Sequence, residues 1–347
     1  MWKLISVVAI DRYDIIHCSN LKPPPILIKP NILVLGNGWA GSNFSSRIDT
    51  DKYNLTIVDK NDYFLETHKM SSNYNPIKHV SIPKSKFIKD KVKEINIKNK
   101  LVILSDIQIK YDYLVFALGS QINTFNIPGV DTHCHFYKTI DDMKLISELK
   151  NTSVSIIGGG VAGIELGYKI LANNQNISNI KIIEAQDILP GFSKITKNKI
   201  KKDLDSKGIR LELNCKVNEI SELNSNIKYA ISTSIDGEQV IFYENNIIWT
   251  GGIKTHELKP DTTPNVFIIG DNSALGPSTG QKAKQEGKWL ANYFNNGFDD
   301  GYANFKFKSN GKIIHTNDGF YIEFCDKCTI FLPKCFDWII YKIIDMC

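Results

Sequence analysis

Two glycine fingerprints of one pattern, GNGWAG from Gly36 to Gly41 and GGGVAG from Gly158 to Gly163, constrain this chain more than any other feature. Each follows a short apolar run, Ile32 to Leu35 and Val154 to Ile157, and about twenty residues on each is followed by an acid closing another apolar run, Asp59 in TIVDK and Glu184 in KIIEA. A strand, a glycine turn, a helix and a second strand ending in an acid is the sequence form of a dinucleotide-binding unit. Gly36 and Gly158 permit the tight strand-to-helix turn. Gly38 and Gly160 remove the Cβ that would strike a pyrophosphate, and Gly41 and Gly163 let the helix lie against the strand, with Gly159 as a further small residue. The helix N-terminus then meets the anion with unpaired N–H groups and the positive end of its dipole. One match alone is as readily an ordinary glycine loop; two strand-flanked copies predict two dinucleotides on one polypeptide. Each acid is placed to accept hydrogen bonds from an adenosine ribose. Because a carboxylate repels a 2′-phosphate, Glu184 favours NADH over NADPH, a preference weakened by the nearby Lys181.

Downstream, YDYLVFALGSQINTFNIPGV (residues 111–130) and NVFIIGDNSA (265–274) are strand-then-glycine segments closed by polar turns. With these the chain resembles the pyridine nucleotide-disulfide oxidoreductases, and within them the type II NADH dehydrogenases and the apoptosis-inducing-factor-like NADH:quinone oxidoreductases. HFYKTIDDMKLI, IIGGGVAGIELG, IIEAQDILPGF, IIWTGGIK and STGQKAKQEGKWLANYF read as versions of type II dehydrogenase segments in the same order, so the likeness covers nearly everything after residue 30. It implies an α/β fold of two Rossmann-like dinucleotide-binding domains, an FAD domain with an inserted NAD domain, plus a short C-terminal α+β segment. The boundaries expected are an extension over 1–30, the FAD domain over 31–140 and 256–297, the NAD(H) domain over 141–255 and the C-terminal segment over 298–347. The resemblance sets FAD at Gly36, Gly38, Trp39, Ala40, Gly41, Asp59, Lys60, Ala117, Gly119, Gly270 and Asp271, with Asp271 on the ribityl chain. It sets NADH at Gly158, Gly160, Gly163, Glu184 and Gly252.

The activity so implied is hydride transfer from NADH to FAD, with electrons leaving to a quinone-type acceptor. Alternatives are an NADH-dependent flavin reductase or oxidase that uses oxygen or a protein acceptor, and a noncatalytic FAD/NAD-binding interaction protein. Chemistry of this kind belongs to the flavin, so no side-chain nucleophile is sought. A helix from Thr279 to Phe294 would aim its N-terminus, near Gly280 and Gln281, at the charge of a reduced flavin. Gln281 and Gln285 match the glutamine-rich quinone-side segment of the family, with Glu286 in place of a further Gln; alternatively Lys282, Lys284, Gln285 and Glu286 are the solvated face of that helix. Glu165 matches an acidic position beside the nicotinamide, or else complements a helix dipole.

The segment DYFLETHKMSSNYN, where disulfide reductases carry a redox pair, has no Cys, and near the second fingerprint there are only Cys134 and Cys215, so a dithiol relay is excluded. Cys325 and Cys328 form one CxxC in YIEFCDKCTIFLP, which reads as a hairpin; zinc or redox roles lack a second such pair. Seven cysteines without pairing logic point to an intracellular reducing compartment. Two departures from the family stand out. Only twelve residues separate Gly252 from Asn265, where relatives carry a longer passage with additional strands. In DYFLETHKM, Thr67 survives from a Thr-Pro-Leu-Leu run beside the flavin, but His68, Lys69 and Met70 make the stretch more polar.

At 347 residues, with 42% hydrophobic content, the chain can build two cores, and a net charge of +5 does not indicate nucleic-acid binding. The start, MWKLISVVAIDRYD before LKPPPILIKP, is poor for a signal or transit peptide and reads as an appended strand or tail. No run is long enough to span a bilayer. A terminal helix over 336–346 would put Phe336, Ile339, Ile340, Ile343, Ile344 and Met346 on one face and Asp337, Lys342 and Asp345 on the other, with Trp338 and Tyr341 at its margins. Such a helix suits a peripheral membrane contact, or packing on the FAD domain or on a second copy in a homodimer.

Overall fold

The structure, a computed structural model, describes residues 29–346 apart from 73, 80–81, 174–175, 226, 234–235, 262, 300–303 and 326–327. Of the extension expected over 1–30 as an appended strand or tail, residues 1–28 lie outside the described residues.

Both fingerprint strands stand at the centre of a five-stranded, all-parallel sheet. In the first sheet Asn31–Leu35 lies between Asn54–Asp59 and Tyr113–Phe116, with Ser85–Lys89 and Val266–Ile268 at the edges. In the second, Ser153–Ile157 lies between Asn179–Ile183 and Asn246–Trp249, with Ile209–Glu212 and His135–Phe136 at the edges. The two fingerprint strands are buried almost throughout because both of their faces are covered. Ile32 and Val34 face the helices Trp39–Ser45 and Gly280–Asn295, packing with Phe44, Leu290 and Phe294. Leu33 and Leu35 face the opposite side, with Val102 and Leu104 of an antiparallel meander over residues 94–110. The second domain repeats the plan. Val154 and Ile156 meet the helices Val161–Ala172 and Lys194–Ser206, while Ile157 and Trp249 meet Val217, Ala230 and Phe242 of a longer meander over 216–244.

The chain crosses between domains along an antiparallel pair, Ser120–Ile122 with Ile253–Thr255, and the second domain takes its edge strand His135–Phe136 from ahead of the boundary at 141 expected from the sequence. The short return after Gly252 is this strand followed directly by a tie to the first domain, His256 N donating to Asn272 Oδ1 at 2.8 Å. The last strand of the first sheet and its long helix thus follow the whole second domain in sequence. Helix Gly280–Asn295 crosses Trp39–Ser45 so closely that a Cβ at Gly287 would lie 2.3 Å from the Ala40 carbonyl oxygen.

The C-terminal segment is a three-stranded antiparallel sheet, Lys312–His315, Gly319–Cys325 and Cys328–Pro333, followed by the helix Asp337–Met346. The expected hairpin is present, with Cys325 opposite Cys328. On one face Glu323 accepts from Ser193 Oγ at 2.7 Å and from Lys312 Nζ at 2.9 Å, and also from the Thr196 hydroxyl, fixing the sheet to the start of helix Lys194–Ser206. On the other face Phe320 and Ile322 pack under Ile340 and Tyr341 of the terminal helix. Tyr341 is therefore buried at 5% exposure, not marginal as the helical pattern suggested, because the helix is docked through that edge; Trp338 is 63% exposed. The side chains of Ile343, Ile344 and Met346 lie outside the described residues. Among the described residues no helix is long and apolar enough to cross a membrane.

Candidate functional site

The two glycine turns are built alike, atom for atom in their main contacts. A Cβ at Gly36, where φ is +98°, would lie 2.3 Å from the Ala117 carbonyl oxygen, and one at Gly158, where φ is +114°, would lie 2.8 Å from the Thr250 carbonyl. At Gly41 and Gly163 a Cβ would fall 1.9 and 2.0 Å from the carbonyl oxygens of Gly36 and Gly158. Around Gly38 and Gly160, by contrast, nothing lies within 4 Å of where a Cβ would be. The outer glycines are thus required by the protein's own backbone, and the middle ones open onto space at a helix N-terminus.

The acids also match. Asp59 Oδ2 accepts from Asn37 N at 2.6 Å and its Oδ1 from Asn61 N at 2.8 Å. Glu184 Oε2 accepts from Gly159 N at 2.6 Å and its Oε1 from Gln186 N at 3.0 Å. Each carboxylate is tied to its turn by one oxygen and to its own following loop by the other. Burial pushes the Asp59 carboxyl up, against the backbone donors that pull it down. Lys181, the cation that weakened the coenzyme preference, is committed elsewhere. Its Nζ pairs with Glu244 at 2.8 Å and lies over the Phe242 ring.

Gly270 and Asp271 are brought beside Gly119 by the parallel pairing of Val266–Ile268 with Tyr113–Phe116. Ser120 Oγ donates to Asp271 Oδ2 at 2.7 Å, and the Asn272 side-chain amide donates to the Gly119 carbonyl. Gly270, at φ +75°, packs against Ala40, whose Cβ a side chain at 270 would meet at 3.1 Å. Gly252, at φ +145°, lies at the crossing beside the Phe125 ring. The sequence-derived set therefore forms two groups, one around each turn.

Helix Gly280–Asn295 begins as expected, Thr279 accepting from Lys282 N at 3.2 Å, and Gly280 abuts the Trp39 indole. Of the four residues that the alternative reading put on a solvated face, two are enclosed. Lys282 and Glu286 are both 0% exposed and pair at 2.9 Å, Lys282 donating to the Gly270 carbonyl at 2.7 Å and Glu286 accepting from Gly270 N at 2.9 Å. This ion pair is lodged beneath the Gly270 turn, which is why both side chains leave the solvent. Spacing of i and i+4 in GQKAKQEG was the available signal. Gln281 and Gln285 hold the chain over residues 308–310: Gln281 Oε1 accepts from Asn310 N at 3.1 Å, and Gln285 accepts from Lys308 N at 3.1 Å and donates to Lys308 O at 2.8 Å. A cavity of about 610 Å³ opens alongside, lined in part by Trp39, Phe64, Lys284, Gln285, Lys288 and Lys308.

Glu165 stands in the second domain's fingerprint helix, Val161–Ala172, past its first turn. Its carboxylate accepts from Ser71 Oγ at 2.9 Å and from His315 N at 2.9 Å, so it joins the first domain, the second domain and the C-terminal sheet instead of serving a helix dipole. Burial pushes it up to about 7, opposed by these two donors. Burial likewise lowers His315 to about 4. The polarity expected of residues 67–70 is largely neutralised: Lys69 pairs with Glu66 at 2.6 Å, Met70 is 4% exposed, and Thr67 accepts from Trp39 Nε1 at 3.2 Å. Cys134 and Cys215 are free thiols in the apolar region of the second domain, and burial pushes Cys134 up to about 12, where it is no nucleophile. Sequence reading missed Thr250, which donates to the Ile157 and Gly158 carbonyls at 3.0 and 3.1 Å, and also Ser120, Lys138 and Asn272.

Residues 30–287 match the pyridine nucleotide-disulphide oxidoreductase family. Among curated relatives, the external alternative NAD(P)H-ubiquinone oxidoreductase B1 of potato mitochondria (Solanum tuberosum) is 26% identical over 67% of this chain and 49% of its own length. The external NADH-ubiquinone oxidoreductase 2 of Saccharomyces cerevisiae mitochondria is 25% identical over 76% of this chain and 62% of its own. The chain thus spans about half the length of the first of these relatives, at 49%. Among solved structures, NDH2 from Plasmodium falciparum in complex with NADH shares the fold, with a TM-score of 0.77 at 19% identity over 91% of this chain and 94% of that one.

Proposed function

Because the chain belongs to the pyridine nucleotide-disulphide oxidoreductase family, we propose that it is an FAD-dependent oxidoreductase that takes hydride from NADH and passes electrons to a quinone-type acceptor. The observation that carries this reading is the duplicated turn. Twice, a helix N-terminus, an open space at a middle glycine and a carboxylate tied to the turn are assembled at the end of a parallel sheet. That set fits a dinucleotide: space for a pyrophosphate, N–H groups toward it, and an acid for the ribose.

FAD, bound at the first turn, supplies the hydride-accepting ring and the relay to a second substrate. The chain's own residues bind and orient. Gly38 and the N-terminus of helix Trp39–Ser45 receive the phosphates, Asp59 the ribose, and Asp271, held by Ser120, the ribityl chain. In the second domain Gly160 and Glu184 do the same for NADH. With Lys181 sequestered by Glu244, a 2′-phosphate would meet the Glu184 carboxylate without that cation, which favours NADH over NADPH.

A quinone is supported by the names of the relatives, which are ubiquinone oxidoreductases. The cavity beside Trp39, Phe64 and Gln285 suits a flat, partly polar acceptor. Trp39 is 5.4 Å from His68, and His68 is 5.8 Å from Tyr341, so that cavity connects through ring contacts to the terminal helix. Exposed Phe336, in the turn just before that helix, and exposed Trp338 on it support a peripheral membrane position, from which a lipid-soluble acceptor would be reached.

The test is anaerobic mixing of the flavin-loaded chain with NADH or NADPH, then with a short-chain ubiquinone or oxygen. Expected are bleaching by NADH at least about tenfold faster than by NADPH, and reoxidation faster by quinone than by oxygen. A protein that stays colourless after incubation with FAD would end the proposal; bleaching followed by reoxidation with oxygen alone would make it an oxidase.

A further inference from the structure

One lysine of the second domain reaches into the first. Lys138 follows the edge strand His135–Phe136, which is paired with Ile248–Trp249, and precedes helix Ile140–Ser147. Its backbone is held at both ends. Thr139 and Asp142 form a reciprocal cap, and Lys138 N itself donates to Asp142 Oδ2 at 2.9 Å. From this fixed base the half-buried side chain extends to Ser120, where Nζ donates to Oγ at 3.1 Å; Ser120 in turn donates to Asp271 Oδ2 at 2.7 Å. Ser120 is also the first residue of the ribbon that crosses between domains, opposite Thr255.

The directions of these bonds matter. A serine hydroxyl has one hydrogen and accepts through its lone pairs. With the ammonium of Lys138 on the lone-pair side, the single Ser120 proton is directed to Asp271, and rotation of the hydroxyl toward another acceptor is opposed. One oxygen of Asp271 is thereby fixed, and the other is left for a ligand hydroxyl. Burial pulls this amine down, and the facing Asp271 charge opposes that shift only in part.

We propose that Lys138 is a positioning residue for the flavin: acting through Ser120, it sets the orientation of the Asp271 carboxylate, so that the cofactor site of the first domain is completed by the second. This rests on the reading of FAD at the first turn. Asp271 would hold the cofactor well only while the two domains keep the arrangement that delivers Lys138.

The test measures FAD dissociation constants on deflavinated full-length protein for the wild type, Lys138→Met, Lys138→Arg, Ser120→Ala and the Lys138→Met, Ser120→Ala double variant. Charge-assisted hydrogen bonds of this kind predict about tenfold weaker FAD binding for Lys138→Met. Lys138→Arg should recover most of the loss, and the double variant should bind no more than about twofold worse than Ser120→Ala. NADH binding to the second domain should be unchanged in Lys138→Met, which separates a local effect from misfolding. FAD affinity equal to wild type in Lys138→Met, or full multiplication of the two single effects, would overturn the proposal. Failure of the wild type to take up FAD would strike the functional reading instead.

Discussion

The first and second glycine turns have the same backbone geometry but different support. Behind the second, one neighbouring strand suffices: Thr250 donates to the two carbonyls of the turn, and Glu184 ties to Gly159. Behind the first, residues from across the sequence converge. Asp271 is laced to Ser120, the Gly270 turn is gripped at both N–H and C=O by the enclosed Lys282 and Glu286, and a long helix lies across the fingerprint helix at Gly287. A site closed by segments that must all fold before it exists suits a ligand that stays. One completed within a single domain suits a ligand that comes and goes. The difference thus fits a resident flavin in the first domain and an exchanging NADH in the second.

The buried ion pair gives the strongest way to break that contrast. Lys282→Met strands the Glu286 carboxylate in an enclosed site, and should cost about 3–5 kcal/mol with loss of flavin, read by thermal unfolding and by absorbance of the purified protein. Replacing both, Lys282→Met with Glu286→Leu, should recover most of the stability yet still weaken FAD, because Gly270 N has lost its acceptor. If Lys282→Met keeps its flavin and its Tm, the first turn is no better supported than the second.

Matched substitutions in the two turns sharpen the contrast further. Gly41→Ala and Gly163→Ala each drive a methyl into a carbonyl oxygen about 2 Å away, a clash worth about 3 kcal/mol that no rotamer relieves. Gly41→Ala should lose flavin. Gly163→Ala should stay yellow but lose bleaching by NADH; a colourless Gly163→Ala protein would show that the second turn does not act separately.

The smallest effect concerns the residue that joins the two domains. Glu165 is pushed up from 4.5 to about 7, so between those values the folded protein holds a proton that the unfolded chain has released. Its contribution is complete below the ordinary carboxylate range and is lost as pH rises through about 7. Glu165→Gln should flatten this slope in unfolding experiments between pH 5 and 8. An unchanged slope would mean that the carboxyl titrates as if exposed.

Periodicity and glycine spacing made the two domains legible because close backbone approach leaves few residue choices. At Gly36, Gly41, Gly158 and Gly163 a side chain would strike the chain's own carbonyls, so the fold is written at those positions. The amphipathic pattern around Lys282 and Glu286 left a solvated face open as an alternative, for the opposite reason. Two charged residues a helical turn apart read as solvated, and only the Gly270 turn lying over them makes their burial tolerable. Tyr341 misled, since a helical wheel does not say which edge of a terminal helix will dock.

The amino-acid sequence by itself determined two parallel dinucleotide folds, their order, and the acid that closes each, since these depend on local turn geometry and on strands short enough to be continuous apolar runs. Only the tertiary structure decided which distant groups meet: Lys138 against Ser120, Ser120 against Asp271, Lys282 and Glu286 beneath Gly270, Glu165 between Ser71 and His315. Those contacts join residues up to 151 positions apart, from Ser120 to Asp271. Their identity depends on how the folded elements, within and between the domains, are set against each other, and no periodicity in the chain encodes that arrangement.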